Sequence, residues 1–151
     1  MNKKVMIVLL LLIPVIVFVV FRVNDSKYYL NSEYYKKGEF IKVTSKELSK
    51  IDDENYILFT YNNYCTFPKP CEEIFESFMR KYKISFLSIP FDEFKKTKYY
   101  KKVKYAPTVI IVRDGKIVSY LDANIDDDFD KYQDVDAFTD WMKKFMYVVD
   151  E

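Results

Sequence analysis

Residues 56–82 read YILFTYNNYCTFPKPCEEIFESFMRKY. Tyr56 through Tyr61 form an unbroken β-prone, apolar run, the pattern of a strand covered on both faces. From Cys71 the period changes. Ile74, Phe75, Phe78, Met79 and Tyr82 recur at helical spacing and make one apolar stripe. Pro70 suits the first helical position, and Glu72 and Glu73 sit favourably in a first turn. The connecting loop carries both cysteines of the chain, Cys65 and Cys71. A buried strand thus feeds a cysteine-bearing loop that opens into an amphipathic helix.

Working outward, Phe40-Ile41-Lys42-Val43 alternates as a short strand. Thr44-Ser45-Lys46-Glu47 has the form of a capping box, with a short helix expected to about Ile51. Asp52 to Asn55 is a turn. Downstream, Ile84 to Ile89 is a strand ended by Pro90, and Asp92 to Lys102 is expected to be helical. Thr108 to Arg113, the turn Asp114-Gly115, and Lys116 to Leu121 make a hairpin. An acidic stretch, Asp122 to Asp136, precedes a last helix over about Asp134 to Val148, with Val135, Phe138, Trp141, Met142 and Phe145 on one face. The order β-α-β-α-β-α-β-β-α implies one α/β domain, a central mixed sheet with helices on both faces.

Composition sets bounds on function. At 151 residues and 50% hydrophobic, the chain suits one domain with a real core. Two Gly leave no material for Gly-rich phosphate cradles or dinucleotide fingerprints. The absence of His removes Ser-His-Asp and Cys-His catalysis and disfavours catalytic zinc, and two Cys are too few for a Cys-only zinc site. A formal net charge of +1 gives no reason to expect nucleic acid as a partner.

Residues 5 to 21 contain no polar side chain, and Lys3, Lys4 and Arg22 flank them. The run is at the short end of what spans a bilayer and longer than a usual signal-peptide core. No small-x-small cleavage site follows. We therefore expect a cytoplasmic N-terminus (1–4), a transmembrane signal anchor (5–22), a juxtamembrane linker (23–38) and an extracytoplasmic domain (39–151), oriented by Lys3 and Lys4. Tyr28, Tyr29, Tyr34 and Tyr35 allow two readings, an aromatic belt at the headgroups or a Tyr-rich segment packed on the domain.

This arrangement resembles the thioredoxin family across roughly residues 39–149. The likeness rests on four ordered features: the strand into Cys65, the helix opening Pro70-Cys71, Tyr105-Ala106-Pro107-Thr108 before a strand, and the closing hairpin Val109 to Val118. It implies a three-layer α/β/α fold and thiol–disulfide exchange on exported proteins, with no cofactor because the cysteines themselves carry the electrons. Cys65 would attack and Cys71 resolve. Pro107, in a cis bond after Ala106, would leave a neighbouring backbone free to pair with an extended substrate, so that Ala106, Pro107, Thr108 and Tyr64 form the substrate site. The sequence departs from the family in two places. Its pair is Cys-x5-Cys where the family has Cys-x-x-Cys. Counting six residues back from Cys65, the family's buried acid is replaced by Phe59.

Two cysteines so placed outside the cytoplasm most simply form a disulfide, either as a reversible redox pair or as a structural staple; free thiols are the third reading. A helix N-terminus at Cys71 would favour its thiolate, and Glu72 and Glu73 oppose this. The staple reading makes the domain a non-catalytic module that binds an envelope or secretion partner. Six Lys between positions 95 and 104 read as a solvated helix face, with anionic headgroups as the alternative. Asp122, Asn124, Asp126, Asp128 and Asp130 alternate somewhat like a calcium loop, but Asp127 stands where that loop needs Gly and Gln133 where it needs Glu, so a solvated acidic insertion is expected.

Overall fold

The computed structural model describes residues 27–62 and 68–148. Five strands form one sheet: β1 (Phe40–Lys42), β2 (Tyr56–Tyr61), β3 (Phe86–Pro90), β4 (Thr108–Arg113) and β5 (Lys116–Tyr120). Their order is β1-β3-β2-β4-β5. The β1–β3 and β3–β2 pairs are parallel, whereas β2–β4 and β4–β5 are antiparallel. β2 and β4 are central and carry continuous apolar runs, because both of their faces are covered.

Among the described residues five helices flank the sheet: α1 (Ser45–Leu48), α2 (Cys71–Tyr82), α3 (Phe91–Phe94), α4 (Asp126–Gln133) and α5 (Val135–Met142), together with short 3-10 turns at Ser32–Tyr34 and Lys98–Lys101. Strand alternation sorts the contacts by face. On one face Phe59 meets Phe75 of α2, with ring centroids 5.3 Å apart. Phe138 of α5 meets Phe75, Phe78 and Phe86 on that same side. On the other face the Tyr56 and Tyr99 hydroxyls lie 2.7 Å apart, and Leu48, Phe94 and Val103 are buried. The result is the three-layer α/β/α arrangement expected from the element order.

Local signals act as expected at several points. Thr44 and Glu47 complete the capping box in both directions. Asp114 and Gly115 both adopt positive φ (48° and 65°), as the turn of a two-residue hairpin requires. In α2 the whole apolar stripe is buried, Cys71 included.

Three segments differ from expectation. Asp92 to Lys102 is not one helix. Thr97 is extended, its hydroxyl donates to the Phe94 carbonyl 2.8 Å away, and the chain restarts as a 3-10 turn. The last helix stops at Met142, and Met146 instead bridges Tyr28 in parallel. The acidic stretch is not a plain solvated insertion, since Asp126–Gln133 is helix α4. Asp126, Asp127 and Asp128 occupy its first turn, where the helix dipole favours negative charge. Asp128 accepts from the Asp122 amide at 2.9 Å and pairs with Lys131 at 2.8 Å.

The described part of the Tyr-rich stretch is packed on the domain. Tyr28, Leu30 and Tyr34 are buried, and Tyr35 bridges Ile84. The Tyr28 hydroxyl donates to the Val112 carbonyl and the Tyr34 hydroxyl to the Glu54 carboxylate. Packing therefore extends N-terminal of residue 39, because large aromatic side chains there bury more area than a solvated linker would leave exposed. Tyr29 is exposed and stacks on Tyr147. Among the described residues no helix is long and apolar enough to cross a membrane. The expected N-terminus and anchor, 1–22, lie outside them.

Candidate functional site

The site is built where the C-terminal end of β2, the N-terminus of α2 and the start of β4 converge. Adjacent antiparallel strands bring the first and last of these together, since Thr60 pairs with Thr108. The Asn62 side-chain amide, just past β2, donates to the Ala106 carbonyl at 3.2 Å. The Ala106–Pro107 peptide bond is cis, as the family resemblance implied. Thr108 is buried and its hydroxyl donates to the Tyr105 carbonyl at 2.8 Å, closing the turn ahead of β4.

Cys71 is the first residue of α2, one position after Pro70, which serves as the N-cap. Its sulfur is fully buried and lies 3.5 Å from Glu72 Oε2. The carboxylate expected to oppose a thiolate is thus at the sulfur itself. The other two residues expected here, Tyr64 and Cys65, lie outside the described residues. The position of the family's buried acid holds Phe59, 2% exposed and packed between Phe40 and Phe75.

Sequence reasoning missed two residues here, both at the end of α4. Tyr132 is fully buried and donates its hydroxyl to the Pro107 carbonyl at 3.0 Å. Its ring packs on Phe75, with centroids 6.0 Å apart. Burial, and next the neighbouring Cys71, hold its phenol well above the ordinary value, so it stays a hydroxyl donor throughout the neutral range. Gln133 reaches the cysteine loop. Its Oε1 accepts from the Lys69 amide and its Nε2 donates to the Lys69 carbonyl, both at 3.2 Å. The available signal was the spacing Phe129, Tyr132 after three acidic residues, a helix start followed by an apolar pair.

Beside the turn, on the side of Tyr105 and Thr108, lies a cavity of about 230 Å³ lined also by Lys102, Val103, Lys104, Tyr120 and Asp122. Tyr105 is exposed at its rim, and Lys104 stands 4.1 Å over the Tyr100 ring. Among the described residues no cluster of three His, Cys, Asp or Glu side chains has the arrangement to hold a metal ion.

The architecture is that of the thioredoxin fold. A thioredoxin variant from Halobacterium salinarum superposes with a TM-score of 0.54 at 21% identity, over 76% of this chain and 96% of that chain. A thioredoxin mutant from Entamoeba histolytica superposes with a TM-score of 0.50 at 16% identity, over 69% of this chain and 97% of that chain. At such identities the likeness is one of fold. No family model and no curated protein matches the sequence.

Proposed function

We propose that this protein is a membrane-anchored, extracytoplasmic thiol–disulfide oxidoreductase that acts on exported proteins through Cys65 and Cys71. The observation that carries the reading is the convergence of Cys71, at the head of α2, with the Ala106-Pro107-Thr108 turn, joined by Asn62 and Tyr132. In reduction of a substrate, the Cys65 thiolate attacks one sulfur of a substrate disulfide. A Cys65–substrate mixed disulfide forms, and the second substrate sulfur leaves as a thiolate that takes up a proton. Cys71, as thiolate, then attacks the Cys65 sulfur. The first substrate sulfur departs, and two electrons have passed from the cysteine pair to the substrate. The reverse sequence oxidises a substrate dithiol, and the potentials of the two couples set the direction. Backbone beside Pro107 would align an extended substrate segment. The anchor 5–22 would hold the domain at the outer face of the membrane, with Lys3 and Lys4 inside.

A second reading has its own support. Cys71 is fully buried beside the Glu72 carboxylate, and Phe59 stands where the resemblance places a buried acid. Those features suit a structural Cys65–Cys71 disulfide in a module that binds an envelope or secretion partner.

The two readings separate by mutation. For an oxidoreductase, Cys65→Ser abolishes exchange with a dithiol substrate, whereas Cys71→Ser traps a mixed disulfide through Cys65. Its reduction potential would lie above the roughly −300 mV of structural disulfides. A lower potential with no trapped complex leaves the binding module standing.

A further inference from the structure

The last turn of α4 touches both loops of the site within two consecutive residues. Gln133 pairs its side-chain amide with both backbone groups of Lys69, inside the loop between the cysteines and two positions before Cys71. Tyr132 donates to the Pro107 carbonyl and packs its ring on Phe75, with Cys71 near enough to raise the pKa of its phenol. Gln133 also donates to the Tyr132 carbonyl at 2.9 Å, so the two residues act as one rigid unit. Cys71, two positions after Lys69, is fully buried. Asp134, which caps α5 by accepting from the Ala137 amide at 2.8 Å, anchors the turn from behind.

We propose that Tyr132 and Gln133 are positioning residues for Cys71: together they clasp the Lys69-Pro70-Cys71 segment against the Pro107 turn, and opening of this clasp admits Cys71 to the mixed disulfide. This rests on the oxidoreductase reading only for its last step. Five residues separate the cysteines where the family pair has two, a longer span to close, and Pro68 and Pro70 restrict its C-terminal part. A side chain that occupies both the N–H and the C=O of Lys69 holds that backbone as one rung of a β-ladder would, while Tyr132 holds the Pro107 turn. Gln133 lies at the helix surface, so the clasp is released without unfolding the core.

The test uses the full chain carrying Cys65→Ser, in which Cys71 is the one thiol, and measures its alkylation by iodoacetamide under native conditions. Gln133→Ala raises the alkylation rate about tenfold, the order set by losing about one net hydrogen bond from the closed loop. Gln133→Glu keeps the acceptor for the Lys69 amide and restores part of the protection. Leu48→Ala, buried on the opposite face of the sheet, lowers global stability and leaves the alkylation rate unchanged. With both cysteines present, hydrogen exchange at the Lys69 amide speeds up in Gln133→Ala by a similar factor. Unchanged alkylation and exchange in Gln133→Ala, or equal acceleration by Leu48→Ala, overturns the clasp. Absence of any exchange activity in the unsubstituted protein overturns the oxidoreductase reading and leaves these rates to decide the clasp on their own.

Discussion

Gly38 and Gly115 are the chain's only glycines, and each occupies a place no other residue fits. Both have φ near +65°, and both sit against backbone. A Cβ on Gly115 would lie 1.6 Å from the Asp52 carbonyl oxygen, and one on Gly38 would lie 2.3 Å from that of Met79. Backbone cannot swing aside as a side chain does. Gly115→Ala therefore lowers stability by roughly 2–4 kcal/mol, measured as a shift of the urea midpoint. A midpoint within error of the parent contradicts the close approach. The same scale separates what the sequence makes legible at the site from what it hides. Cys71, Ala106, Pro107 and Thr108 announce themselves by type and order along the chain. Tyr132 does not, because its role depends on a contact with Pro107, 25 residues away along the chain. Gln133 was visible only as a poor fit to a calcium loop, and its pairing with Lys69 is a tertiary fact that no local pattern encodes.

Elements were readable in proportion to how strongly their burial marks the sequence. β2 and β4 are covered on both faces, so continuous apolar runs identify them. α2 carries a full stripe. α4 has only Tyr132 buried, and eight residues with one buried position leave hardly any period to detect. The break at Thr97 escapes for a related reason, since a threonine hydroxyl bonded to a carbonyl three residues back overrides a helix-favouring run of Lys and Phe. Packing of α5 onto α2 depends chiefly on Phe138, which meets Phe75, Phe78, Phe86 and Trp141. Phe138→Ala is expected to cost about 3–5 kcal/mol, and calorimetry would show it as a lower melting temperature. At α1 the cap adds a dependence on pH. The Thr44 side chain, and next its backbone amide, bond Glu47 and hold its carboxyl below the ordinary value. A depressed folded-state value means that this contribution is present above the unfolded carboxylate pKa and is lost as pH falls through the folded one. Thr44→Ala should thus destabilise modestly at neutral pH, and its gap from the parent should narrow in acid. A gap that widened in acid would contradict the capping geometry.

For the whole molecule, the boundary that composition suggests and the one that packing sets are different. A chain beginning at residue 39 lacks Tyr28, Leu30 and Tyr34, three buried side chains that each contribute roughly 1.5–3 kcal/mol by burial alone. Such a chain is expected to melt well below one beginning at residue 27, or to lose its cooperative transition in circular dichroism; equal melting would show that the Tyr-rich segment is dispensable. A protease added to intact cells should digest the domain if it faces outward, and protection of the domain would overturn that topology. The Tyr28–Met146 bridge carries one more implication. The Tyr28 amide donates to the Phe145 carbonyl, the Tyr147 amide to the Tyr28 carbonyl, and the Tyr28 hydroxyl to Val112. Val112 lies near the end of β4 farthest from Pro107, roughly 15 Å along the strand at ~3.3 Å per residue. The described chain therefore enters the domain at the pole opposite the Ala106-Pro107 turn. Under the anchored reading proposed above, the bilayer would hold the domain by that pole and leave the Pro107 turn on the side facing away from it.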